Sequence, residues 1–210
     1  FTGSTAYIRI VRFRGDADDD FARAMRQYRE DGADTLLLDL RNNGGGDVSI
    51  MQNIVAYLLR DAEEDRPVVM TAEYKDGSRQ VYRAAGNDHD EYLAGSEVYA
   101  VANHNSASAS EALLGAMISY GTIGYGDIFL TDTTGMGIAS TYGKGIMQVS
   151  YYDLLTGDGV TLTTARCNWP NGTCIHGTGI RSQEGTRLSP AQTFADPGDA
   201  ELDYIIGQIG

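Results

Sequence analysis

The stretch Asp34–Leu40, DTLLLDL, carries four leucines, three of them consecutive. A half-buried strand alternates apolar and polar residues; one that is apolar at almost every position must be covered on both faces. Such cover is supplied when helices pack on either side of a parallel sheet. The flanking sequence agrees. AYIRIVRF (6–13) alternates and predicts a strand. DADDDFARAMRQYRE (16–30) predicts a helix, with acids at its front and Phe21, Met25 and Tyr28 at helical spacing. Strand, helix, strand is a crossover unit, so the fold class is α/β with a parallel or mixed sheet.

Further along, a helix is predicted over about 48–60, and a strand over 67–74 that turns at KDGS into RQVYR as a hairpin. GNDHDEY (86–92) is a polar loop, SEVYAVAN (96–103) a buried strand, and a helix opens near Ala109. The Gly-, Thr- and Asp-rich run 121–144 predicts loop with one or two short strands. GIMQVSYYDLL and GVTLTTARC form a closing pair of strands. No internal repeat or linker interrupts the pattern, and 210 residues suit a single domain over 1–210. A net charge of −13 repels phosphate backbones, which argues against nucleic acid as a partner. No apolar run is long enough to span a membrane.

Cys167 and Cys174 are the only cysteines, seven positions apart around a Pro-Asn-Gly turn. That spacing suits a disulfide better than free thiols and points to an oxidising, extracytoplasmic compartment. With His176 the only histidine nearby, a zinc site lacks ligands.

In NHNSASASEALLGAM (103–117), Ser106, Ser108 and Ser110 alternate with alanines where a strand passes into a helix. SASE (108–111) matches a capping box, in which Ser binds the third helical amide and Glu reaches back. The same junction exposes a hydroxyl beside free amides at the positive end of a helix, a setting that stabilises an oxyanion. Both readings stand on this segment alone.

A nucleophilic serine needs a base. His89, His104 and His176 are the only histidines, and nothing in the sequence orients any of them as a triad requires. Lysine is the other base available to serine. Only two lysines, Lys75 and Lys144, stand against 14 arginines, and Lys144 lies between two glycines with no acid within seven residues. Free lysine is neutral in only about 0.04% of molecules at pH 7, and desolvation raises that fraction. Gln148, four positions on, either orients the amine or is an exposed strand residue.

Taken together, NSASASEALLGAMISYG, TYGKGIMQ and LLLDLRNNGGG, in that family's order, resemble the C-terminal processing (tail-specific) serine peptidases. AYIRIVRF and LTTARCNWPNGTCIHGTGI extend the resemblance over about residues 6–181. The resemblance implies a crotonase-like fold of ββα units and a Ser-Lys dyad that cleaves protein or peptide substrates without metal or organic cofactor. Residue by residue, it implies Ser108 as nucleophile, Lys144 as general base and Gln148 as the residue that positions it. Ala109 and Gly45 are implied as oxyanion donors, with Gly46 less favoured, and Ser106 and Ser110 as supporting residues.

Three departures stand out. Gly44 occupies the place of a proline in the family's NNPGG. The connection from Ser108 to Lys144 is longer, with extra length around FLTDTTGMGIAST, and either flanks the cleft or displaces the lysine. No PDZ domain is evident. The alternative from another class is an apolar-ligand binder like the interphotoreceptor retinoid-binding proteins, and a third is an inactive peptidase scaffold. Retention of Ser108, Lys144 and Gln148 together favours the peptidase. Oligomeric state is not legible.

Overall fold

The computed structural model describes residues 4–60, 65–86, 90–153, 155–191 and 198–209. Chain order is β1 (Thr5–Arg9), α1 (Ala17–Glu30), β2 (Thr35–Asp39), α2 (Val48–Val55), β3 (Val68–Tyr74), β4 (Arg79–Arg83), β5 (Glu97–Ala102) and α3 (Ala109–Ser119). Then come β6 (Ile128–Asp132), β7 (Ile146–Tyr152), β8 (Gly159–Asn168), β9 (Arg187–Pro190) and α4 (Ala200–Ile209). One sheet runs β1-β2-β5-β6-β9, and every pair in it is parallel. The other runs β4-β3-β8-β7 and is antiparallel throughout.

The leucine run of β2 explains the layering. Side chains alternate faces along a strand, so Leu36 and Leu38 turn to one side and Leu37 to the other. Leu36 and Leu38 join Ala100, Ile128 and Leu130 in a core with Phe21, Met25 and Tyr28 of α1, Met51 and Ile54 of α2, and Leu113, Leu114 and Met117 of α3. Leu37 joins Val101 and Phe129 beneath Ile205 of α4. The central strand is thus buried on both faces, as its composition requires.

Two expected elements end early. The strand predicted over 6–13 leaves its partner after Arg9, because the chain peels away to place Phe13 beside Gly46. The helix predicted over 48–60 ends at Val55, where Tyr57 and Leu58 donate to Ile54 and Val55 and tighten the last turn. The loop of 86–92 is described only in part: His89 lies outside the described residues, and a 3₁₀ turn forms at Asp90–Leu93. β9 and α4 have no counterpart among the sequence expectations.

α4 is fixed by charge as well as by packing. Arg41, just past β2, bonds Asp39, Asp199 and Glu201 at 2.7–3.1 Å. Glu201 also accepts from Thr131 at 2.5 Å and Ser189 at 2.6 Å, joining α4 to β6 and β9. Burial alone would lower the Arg41 pKa, but the three carboxylates outweigh it and raise it. Asp199 is held below the ordinary carboxylate range by its bonds to Arg41. Tyr7, desolvated and donating to Asp39 at 2.6 Å, is pushed up to about 12.

Candidate active site

The site lies beyond the C-terminal ends of β2 and β5, where open parallel sheets form their crevices. Ser106 is fully buried; its hydroxyl donates to the Leu40 carbonyl at 2.8 Å and accepts from the Asn103 amide at 2.9 Å. The Ser110 hydroxyl donates to the Asn43 carbonyl at 2.8 Å, and the Ala107 amide donates to the same oxygen at 3.0 Å. Both flanking serines are therefore engaged in joining the serine turn to the end of β2.

Ser108 differs from both. Its backbone sits at φ 58°, ψ −114°, a conformation that costs a non-glycine residue about 1–3 kcal/mol. Its side chain is half-buried and makes no capping hydrogen bond. Only one half of the capping box is therefore realised: Glu111 Oε2 accepts from the Ser108 amide at 3.0 Å. The hydroxyl sits at the N-terminus of α3 and has no hydrogen-bond partner among the described residues. Among the described residues nothing accepts from the Ala109 amide, the first of the helix.

The glycine run makes this turn possible. Gly45 has φ +95°, and a Cβ there would lie 2.9 Å from the Ser108 Cβ and from the Ala107 carbonyl. A Cβ on Gly46 would lie 2.2 Å from the Phe13 carbonyl oxygen. The glycines bring the end of β2 close against the serine turn and Phe13. The Gly45 amide itself donates to Asn43 Oδ1 at 2.9 Å.

Glu111 organises the other side. It is 1% exposed, and each carboxylate oxygen accepts two hydrogen bonds. Oε1 takes Thr141 Oγ1 at 2.6 Å and the Gly143 amide at 2.7 Å; Oε2 takes the Lys144 amide at 2.8 Å and the Ser108 amide at 3.0 Å. One buried carboxylate thus ties the lysine loop to the serine turn. The long connection does not carry Lys144 away from Ser108. Asp132 gathers Thr134, Gly135 and Gly137 onto its carboxylate, and Thr141 pairs with Ile180, so the extra residues fold on themselves before reaching Lys144.

Ser108 and Lys144 line the same cavity of about 50 Å³, with Met70, Ala112, Ile146, Met147, Cys167, Trp169 and Ile175 as apolar walls. Lys144 also borders a second, open cleft of about 480 Å³ shared with Gly44, Asn105, Tyr142, Gln148 and His176. Gln148 is exposed there. His104 is exposed and rests against the Tyr142 ring, 5.7 Å between centroids. Among the described residues no three His, Cys, Asp or Glu side chains group as metal ligands.

The expected disulfide is absent: Cys167 and Cys174 are free thiols. Cys167, on β8 opposite Ala72, faces the apolar cavity, whereas Cys174 is exposed past a turn in which the Trp169 amide donates to the Thr173 carbonyl and the Gly172 amide to the Trp169 carbonyl. Desolvation, with the neighbouring Cys174 thiol adding to it, pushes Cys167 up to about 11. The oxidising compartment inferred from this pair loses its support.

Sequence reasoning read Glu111 only as a capping acid. The available signal was its isolation, since it is the one charged residue in an otherwise uncharged helix, ASEALLGAMIS. Arg41 and Asp39 were missed as well, though charges closing a continuous apolar run are a mark of a buried ion pair.

The family model described as "Peptidase family S41" matches residues 4–184. The carboxyl-terminal-processing protease of Synechocystis sp. is 31% identical over 215 residues, covering 98% of this chain and 45% of its own length. The carboxy-terminal processing protease CtpB of Bacillus subtilis is 30% identical over 179 residues, covering 84% of this chain and 33% of its own. Among solved structures, a photosystem II D1 C-terminal processing protease superposes with a TM-score of 0.69 at 28% identity, over 94% of this chain and 45% of that one. The chain spans less than half the length of each of these relatives.

Proposed function

Since this chain belongs to peptidase family S41, we propose that it is the catalytic domain of a serine endopeptidase acting through a Ser-Lys dyad on protein or peptide substrates. The observation that carries the reading is the Ser108 hydroxyl, left uncapped on a strained turn at the mouth of α3, with Lys144 on the wall of the same cavity. Lys144 in its neutral form takes the Ser108 proton, and the alkoxide attacks the peptide carbonyl. The oxyanion settles on the unpaired Ala109 amide at the positive end of α3. Gly45 is the second donor, and its amide must exchange Asn43 Oδ1 for the oxyanion as substrate enters. Lys144 then protonates the leaving amine and activates the deacylating water. Gln148, on the cleft that Lys144 borders, positions the amine.

We read the two sheets as the crotonase-like class of ββα units, and residues 1–210 as one catalytic domain. An extracytoplasmic location is proposed on the resemblance alone. The binding-protein alternative is disfavoured by the site's chemistry, because a pure binder has no use for an uncapped serine hydroxyl and a lysine on the wall of one cavity. Incubation with unfolded casein tests the proposal: the natural chain should generate peptides and Ser108→Ala should not. Equal cleavage by both would reject Ser108 as the nucleophile.

A further inference from the structure

A peptidase must hold the main chain of its substrate as well as the bond it cuts, and the strand edges of this fold differ in how they treat an approaching backbone. Unpaired edges are ordinarily guarded by charge, proline or brevity. In the parallel sheet, edge strand β1 ends in Arg9, and β9 is four residues long with Arg187 and Pro190. In the antiparallel sheet, edge strand β4 carries Arg79 and Arg83. β7 is the exception: IMQVSYY holds no charge and no proline across seven residues, and among the described residues it pairs only with β8.

This unguarded edge starts at the site. Ile146, its first residue, lines both the Ser108 cavity and the neighbouring cleft. The Gly145 carbonyl accepts from the Cys167 amide at 2.9 Å, so Gly145 turns towards β8. Antiparallel ladders alternate, and the amide and carbonyl of Ile146 therefore turn to the open side. Farther out, Val149 and Tyr151 share one face of the strand and are 41% and 56% exposed.

We propose that the open edge of β7 is the docking strand for the substrate main chain, with an extended peptide pairing against it and so being led across Ser108. This rests on the peptidase reading and names its substrate class: unfolded, strand-forming segments with apolar residues at alternate positions facing Val149 and Tyr151. At about 3.3 Å per residue the edge is roughly 23 Å long, enough for about seven substrate residues on one side of the cut bond.

The test uses a peptide of about fourteen residues centred on a site that this chain cuts in unfolded casein, with each backbone amide N-methylated in turn. The expected result is an alternating profile on one side of the scissile bond. Every second methyl group lowers kcat/KM about tenfold, and the effect fades beyond about seven residues. A chain with Ser150–Thr161 replaced by Asn-Gly should lose the outer part of that profile. A flat profile at normal cleavage rates, or an alternating one that survives the shortened hairpin unchanged, would overturn the docking strand. A parent peptide left uncut would overturn the peptidase reading and this inference with it.

Discussion

Replacing Glu111 tests whether one buried carboxylate assembles the site. It accepts four hydrogen bonds, three from backbone amides and one from Thr141. In Glu111→Gln a single carbonyl oxygen serves only one of the two pairs, and the carboxamide NH₂ faces donors on the other side. The cheaper orientation turns NH₂ towards Thr141 and Gly143: the threonine hydroxyl can rotate to accept, but the Gly143 amide is left unpaired. One buried orphan amide, with loss of the charge assistance, costs about 2–3 kcal/mol. Glu111→Ala leaves three amides without acceptors and costs about 4–6 kcal/mol, a large share of the roughly 5–15 kcal/mol that stabilises a domain. Urea unfolding followed by fluorescence of Trp169, the only tryptophan and a buried one, measures both. Turnover of unfolded casein should fall with the order Gln then Ala, because the same bonds hold Ser108 and the lysine loop together. A Glu111→Gln chain within about 0.5 kcal/mol of the natural one would refute the reasoning.

Three further outcomes are expected. Arg41→Ala strands Asp39 and Glu201 as buried carboxylates and should cost about 3–5 kcal/mol in the same urea assay. Asp199 has a depressed pKa, so its share of stability is present above the unfolded value near 4 and is lost as pH falls through the folded one; acid titration should loosen α4 in that range. Cys167, raised to about 11, is about 0.1% thiolate at pH 8, so an alkylating reagent should modify exposed Cys174 quickly and Cys167 only slowly until the chain is unfolded. Equal rates at both thiols, or no free thiol at all, would contradict the structure.

Much of the fold was legible because hydrophobic period is local information. The helix at α1, the crossover to β2, the β3–β4 hairpin and the β7–β8 pair all follow from spacing and turn residues. α4 was not read, yet the leucines of β2 had implied it: a strand apolar on both faces needs a second cover, and Leu37, Val101 and Phe129 receive it from Ile205. The serine turn was legible as a strand-to-helix junction. Which serine stays free was carried by the resemblance, because the carbonyls to which Ser106 and Ser110 donate lie 66 and 67 residues away in sequence. Glu111 escaped for the same reason, since its bonds to Thr141, Gly143 and Lys144 cross 30 to 33 residues. The cysteines misled because spacing gives the span of a loop but not the direction of a side chain, and Cys167 turns inward.

The central claim, that Lys144 activates Ser108, is tested most directly by intact mass measured over time with a serine-reactive fluorophosphonate at pH 8. The natural chain should gain one adduct, mapped to Ser108. Lys144→Arg should stay unlabelled over the same interval, because arginine keeps the charge but cannot take the proton. Labelling of Lys144→Arg at the natural rate, or an adduct on any residue other than Ser108, would contradict the account.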